Sequence, residues 1–127
     1  MGENAKRILI ADDSPVIQTL SRKIFLGMGY DIVGLKSGSK VIEQINSKKF
    51  DVVILDIILP GVDGMTLAKQ IRKLKDPDKS KLPIIAISGN YKNYTPEDFE
   101  ALGIKDYLIK PLDYDKLVDA VRKYTED

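Results

Sequence analysis

Five short apolar runs recur along this chain, each built largely of Ile, Val or Leu, and each is followed by a segment whose apolar residues fall at helical spacing. Unbroken rather than alternating hydrophobicity suits strands of a parallel sheet covered on both faces. The runs Arg7–Ala11, Asp31–Leu35, Asp51–Leu55, Pro83–Ile87 and Lys105–Ile109 are therefore predicted as strands. Strand and helix alternating in this way specify five βα units, an α/β sandwich of three layers. No Pro/Gly/Ser-rich linker, repeat or low-complexity tract divides the chain. Its 127 residues, 43% of them hydrophobic, suit one domain over 1–127 with a substantial core.

The helical segments carry their own signals. Ser14 is a predicted N-cap with Pro15 at the first helical position, and Val16, Leu20, Ile24 and Met28 make one apolar stripe, ended by Gly27 or Gly29. Later stripes are Val41, Ile42 and Ile45; Leu67, Ala68, Ile71 and Leu74; and, after Asp113, Leu117, Val118, Val121 and Tyr124. Packing against the sheet explains such stripes, and no chemistry is assigned to them.

Chemistry is expected where the strands end, because open α/β sheets bind ligands outside the carboxyl ends of their strands. Asp12 and Asp13 follow the first strand, Asp56 the third, Ser88 the fourth, and Lys110-Pro111 the fifth. Only the second strand ends without a candidate. In the flavodoxin-like order 2-1-3-4-5 that strand lies outermost while the first and third are neighbours, so the three carboxylates would converge. Their repulsion is relieved by protonation or by a hard cation, and Mg²⁺ fits a site of few carboxylates, water and a phosphate oxygen. A metal beside a carboxylate, a hydroxyl and a lysine suits phosphoryl transfer to the carboxylate.

Composition narrows the choices. There is no His to act as base or phosphohistidine and no Cys for disulfides or thiolate metal sites, so any phosphate must come from another molecule. Twenty Lys and Arg against 19 acids leave a net charge of +1, too little to draw in nucleic acid or an anionic membrane at long range. The apolar run Ile8–Ala11 is too short for a signal-peptide core or a membrane span, and Lys6 breaks the myristoylation pattern that starts with Met-Gly. A cytoplasmic location is expected.

The segments Ile10-Ala11-Asp12-Asp13-Ser14, Asp51-Val52-Val53-Ile54-Leu55-Asp56, Leu59-Pro60-Gly61-Val62-Asp63-Gly64, Ile87-Ser88-Gly89 and Gly103-Ile104-Lys105-Asp106-Tyr107-Leu108-Ile109-Lys110-Pro111 together resemble the receiver domain of two-component response regulators. The resemblance runs along essentially the whole chain. It implies that Asp56 is the phospho-acceptor, that Asp13 binds Mg²⁺ directly with Asp12 supporting through water, and that the Ile58 carbonyl is a further ligand. It implies Ser88 as switch hydroxyl, Tyr107 as switch aromatic and Lys110 as partner of the phosphoryl group. A cis Lys110-Pro111 bond is also implied, although only about 5–6% of X–Pro bonds are cis in folded proteins. The implied partners are a sensor histidine kinase or phosphotransfer protein and a downstream protein on the face made by the fourth predicted helix, fifth strand and last helix.

Each residue alone has a plainer account. Asp12 and Asp13 could favour a helix N-terminus, Asp56 could close a turn, Lys110 could be solvated, Ser88 could cap a turn and Tyr107 could be a half-buried edge aromatic. Their coincidence at one sheet edge favours the joint reading. Asp63 and Gly64 are left to turn and helix-start chemistry. A haloacid-dehalogenase-type phosphatase would need an acid where Ile58 stands, and a flavodoxin-like carrier would need a Ser/Thr-rich loop where Asp12-Asp13-Ser14-Pro15 lies. A receiver-fold binding module that is not phosphorylated remains an alternative, as does a receiver cut from a longer regulator.

Two departures qualify the resemblance. Lys116 and Ala120 stand where regulators dimerising through their last two helices carry an acid and an Arg, so a monomer without direct DNA contact is expected. Thr95-Pro96, with Asp98 three residues past the cap, predicts a fourth helix from Pro96 to near Leu102. A longer, mobile loop bearing Tyr91 and Tyr94 is expected before it.

Overall fold

Successive side chains of a strand point to opposite faces, so an unbroken apolar run needs cover on both. The computed structural model describes residues 5–89 and 94–126. Strands β1 (Arg7–Ala11), β2 (Asp31–Leu35), β3 (Val52–Asp56), β4 (Ile84–Ser88) and β5 (Asp106–Ile109) form one parallel sheet in the order β2-β1-β3-β4-β5, the flavodoxin-like order. The helices are α1 (Pro15–Gly27), α2 (Val41–Ser47), α3 (Gly64–Arg72), α4 (Pro77–Ser80), α5 (Pro96–Ala101) and α6 (Tyr114–Thr125).

On one face of the sheet, Ile8, Ile10, Val52, Ile54, Ile85 and Ile87 pack with Phe25 of α1 and with Leu117 and Val121 of α6. On the other, Leu9, Val53, Leu55 and Ile84 meet Ile45 of α2, Leu67 and Ile71 of α3 and Phe99 of α5. Each fully buried Ile, Leu or Phe contributes about 1.5–3 kcal/mol relative to its exposed state.

The caps follow the sequence closely. Ser14 Oγ accepts from the Ile17 N–H at 3.2 Å, with Pro15 at the helix start. Asp63 caps α3 through the Thr66 N–H at 2.9 Å. Helix α5, the fourth of the predicted helices, begins at Pro96 as expected. Its Thr95 and Asp98 form a reciprocal box, with Thr95 N donating to Asp98 Oδ2 at 2.8 Å and Asp98 N to Thr95 Oγ1 at 3.3 Å, so Asp has reach enough here. The expected loop bearing Tyr91 falls at residues 90–93, outside the described residues.

Three expectations are corrected. The apolar stripe assigned to α1 is the wrong row, since Val16, Leu20 and Met28 are exposed while Ile17, Ser21 and Phe25 face the core. Two apolar rows lie side by side on this helix, and the small Ser21 interrupts the one that packs. Strands β3 and β4 are also displaced by a residue, and β5 begins one residue late. Pro83 has no N–H for the ladder, while Asp56 and Ser88 continue it, paired with Ile87 and Ile109. Helix α4, which the sequence did not predict, is a turn of helix capped by Asp76 with Pro77 at its start. Leu74, placed on the third stripe, lies beyond the end of α3 and packs partly buried against the core.

Candidate functional site

Extending the β1–β3 register of Ile10 with Ile54 and Ala11 with Leu55 by one step sets Asp12 beside Asp56. Asp12, Asp13 and Asp56 each offer a carboxylate oxygen, and these oxygens lie within 4.8 Å of one another. Asp12 is fully buried, Asp56 is 3% exposed and Asp13 is open to solvent. Lys110 reaches the pair from the end of β5, its Nζ 2.7 Å from Asp56 Oδ2 and 3.0 Å from Asp12 Oδ2. It is an ion-paired lysine, and the plainer account of a solvated charge does not hold.

The backbone holds the acids from several sides. Asp56 Oδ1 accepts from the Ile58 N–H at 3.0 Å, and Asp12 Oδ1 from the Ser14 N–H at 2.8 Å. The Ile58 side chain itself is exposed. Ser88 is fully buried at the end of β4, where its carbonyl accepts from the Lys110 N–H at 2.9 Å. The Lys110-Pro111 bond is cis, as the resemblance implied. Tyr107 is 41% exposed on the edge strand, and its ring stacks on Phe99 with centroids 5.0 Å apart and planes 16° from parallel.

The loop after β2, which carries no candidate ligand, braces the site loop instead, with Gly38 N donating to Pro60 O at 3.0 Å. Gly64 does more than start a helix. A Cβ there would lie 2.2 Å from the Asp56 carbonyl oxygen, so only glycine lets α3 begin directly against the strand end.

Sequence reasoning passed over Gln18. Its amide Nε2 lies 2.9 Å from Leu35 O, 3.0 Å from Asp12 O and 3.3 Å from Ile10 O, across the ends of β1 and β2. The only signal was a polar residue four places after the Ser14 cap, and many exposed helix residues share that.

The electrostatics are those of crowded acids. Burial raises the Asp56 pKa above the ordinary carboxylate value, with the Asp12 charge adding to it, while the Lys110 and Ile58 hydrogen bonds pull the other way. Desolvation works against the Lys110 ammonium, but its bond to Asp56 and the charge of Asp12 beside it prevail and hold its pKa above that of a free lysine. The buried Asp12 Oδ2 accepts no well-directed hydrogen bond and is held by charge alone. An all-oxygen, acidic set with such an oxygen fits a hard cation of the Mg²⁺ type.

Comparison with known proteins agrees with this geometry. The family description "Response regulator receiver domain" matches residues 8–122. The chain is 32% identical over 116 residues to the CAI-1 autoinducer sensor kinase/phosphatase CqsS of Vibrio cholerae, covering 91% of this chain and 17% of that protein. It is 29% identical over 126 residues to the sensor protein GacS of Pseudomonas syringae, covering 98% of this chain and 14% of that one. It thus spans under a fifth of either relative's length. The receiver domain of a Pseudomonas aeruginosa sensor histidine kinase, solved with a magnesium ion coordinated in its active-site cleft, superposes with a TM-score of 0.83 at 25% identity. That superposition covers 97% of this chain and 99% of the other. With three carboxylates, a lysine and a buried serine at the carboxyl edge of a 2-1-3-4-5 sheet, and a family match over most of its length, the chain belongs to the response regulator receiver domains of two-component systems.

Proposed function

We propose that this receiver accepts a phosphoryl group on Asp56 from a partner histidine kinase or phosphotransfer protein, with Mg²⁺ bound beside it, and switches partner binding through Ser88 and Tyr107. The observation that carries this reading is the meeting of Asp56 with Asp12, Asp13 and Lys110 at one sheet edge. Asp12, Asp13, Asp56 and the Ile58 carbonyl would hold the metal, which when bound supplies positive charge to neutralise phosphoryl oxygens. Lys110 pairs with one of those oxygens and the Ser88 hydroxyl donates to another. A carboxylate oxygen of Asp56 forms the new bond to phosphorus as the donor's N–P bond breaks, and the electron pair stays on the imidazole nitrogen. The acceptor needs no general base, because it attacks as a carboxylate, whose charge is balanced by the Lys110 ammonium 2.7 Å away.

The protein acts as a regulatory domain, spanning residues 1–127, that catalyses only its own phosphorylation and dephosphorylation. Exposed Val16 and Leu20, in the helix that follows Asp13, offer apolar surface to the donor protein. The output face is α5, β5 and α6, with Tyr107 on it, and it meets a protein rather than nucleic acid. No helix among the described residues is long and apolar enough to cross a membrane, and we assign the domain to the cytoplasm as a monomer.

Incubation with a small acyl phosphate and Mg²⁺, followed by intact mass measurement, tests the reading. One added phosphoryl group is expected in the wild type, and none without Mg²⁺ or in Asp56→Asn. Unchanged incorporation in Asp56→Asn would move the acceptor elsewhere, and no incorporation in the wild type would leave a receiver-fold binding module.

A further inference from the structure

We infer that Gln18 is a positioning residue, which aims Asp12 and Asp13 at a divalent cation by tying the carbonyl ends of β1 and β2 together. The inference rests on the reading of the acidic cluster as the metal site.

Asp13 is exposed and makes no side-chain hydrogen bond or ion pair among the described residues, so its carboxylate is placed by its backbone alone. That backbone leaves the sheet at Asp12, whose N–H donates to Leu35 O at 3.0 Å. The carbonyl of the Asp12–Asp13 peptide lies 3.0 Å from Gln18 Nε2, which also lies 2.9 Å from Leu35 O. One amide therefore fixes the plane of the peptide that carries Asp13 and anchors it to the neighbouring strand. The two N–H groups face three carbonyls, the third being Ile10 O at 3.3 Å, so at least one bond is shared and the amide has no donor left for solvent.

The β2 side is matched to this role. A Cβ at Gly34 would stand 2.2 Å from Gln18 Oε1, so the amide occupies the space that any side chain at Gly34 would take. Gln18 and Gly34 act as one unit from two different elements. Groups outside the ligand shell that orient ligands in this way govern metal affinity without touching the metal.

Four proteins test the inference: the wild type, Gln18→Met, which keeps length and loses the donors, Gly34→Ala, which displaces the amide from the other side, and the double variant. Mg²⁺ affinity is measured by calorimetry, and the urea midpoint in EDTA separately reports the fold. Each single variant is expected to bind Mg²⁺ about tenfold more weakly, the lower end of what outer-shell partners contribute. The double variant should bind no worse than Gln18→Met, since both changes act through the same amide. Added losses in the double variant, or wild-type affinity in Gln18→Met, would overturn the inference while leaving the metal site in place. A wild-type protein that binds no Mg²⁺ overturns both. If Gln18→Met does not fold, Gly34→Ala alone decides, and wild-type affinity there refutes the role.

Discussion

Lys110 Nζ donates to Asp56 Oδ2 at 2.7 Å, reaching across β4 from the end of β5 to the end of β3. The same ammonium lies 3.0 Å from Asp12 Oδ2, so one lysine serves as counter-charge for two buried acids. Removing it leaves like charges facing each other with little water. Lys110→Met is expected to lower stability in EDTA by about 1–3 kcal/mol, the cost of stranding buried polar groups. Saturating Mg²⁺ should recover part of the loss by replacing the missing charge. Urea unfolding in the two conditions checks this, and an identical loss in both would count against a shared cation and lysine site.

Metal binding should be visible as stability in its own right. A ligand that binds only the folded state adds about 2.7 kcal/mol at a concentration 100 times its dissociation constant. Thermal melts of the wild type should therefore rise with Mg²⁺. Asp13→Asn, which removes the exposed acid, should flatten that rise while leaving the melt in EDTA nearly unchanged. A wild type whose melting temperature ignores Mg²⁺ would rule out tight binding by the cluster.

At the far end of β5, Asp106 accepts from Lys123 Nζ at 2.9 Å and from the Tyr124 hydroxyl. Burial pushes the Asp106 carboxyl up, but these two bonds outweigh it and its pKa lies below the ordinary value. Its contribution is thus present above the unfolded pKa and lost as pH falls through the folded one. Burial, and then the bond to Asp106, raise the Tyr124 pKa. That contribution is fully present below the free tyrosine value of 10.0 and is lost as pH rises through the raised folded value. Asp106→Asn should soften the acid limb of the stability profile and Tyr124→Phe the alkaline limb, each read from urea midpoints across pH. Parallel profiles for wild type and variants would contradict the assignment.

Tyr107 rests half in solvent with its ring stacked on Phe99. If phosphorylation draws Ser88 toward the phosphoryl group and Tyr107 inward, that stack must break. The aromatic resonances of Tyr107 and Phe99 should then shift when wild type is phosphorylated. In Ser88→Ala they should stay near their unphosphorylated positions although Asp56 still takes up phosphate. Equal shifts in both proteins would sink the coupled switch.

Gly64→Ala puts a methyl group 2.2 Å from the Asp56 carbonyl oxygen. The main chain must move at the acceptor strand or at the start of α3. A loss of about 1–3 kcal/mol is expected from the overpacking, together with slower phosphoryl uptake at Asp56. Wild-type stability and uptake would show that the strand end tolerates a wider gap.

Local chemistry decided a good part of this protein. The bounds of β1 and β2, the Ser14 and Asp63 caps and the start of α5 at Pro96 all follow from residues within a turn of each other. The candidate site was legible for a different reason, since a parallel sheet brings every strand's carboxyl end to one edge and the acids, serine and lysine sit at those ends. Other features depended on partners far along the chain. Which of two adjacent apolar rows on α1 turns inward was decided by packing into the cluster on that face of the sheet, and the sequence favoured the row that is exposed. Arg72 donates to Leu102 O at 2.6 Å and to Leu82 O at 2.7 Å, joining α3 to the end of α5 and the approach to β4, and no spacing foretold it. The pairing of Lys110 with Asp12 and the span of Gln18 from α1 to β2 belong with these. Caps and turns are settled by neighbours in sequence, whereas a helix's rotation and a side chain's distant acceptor are settled only when the sheet has brought its strands together.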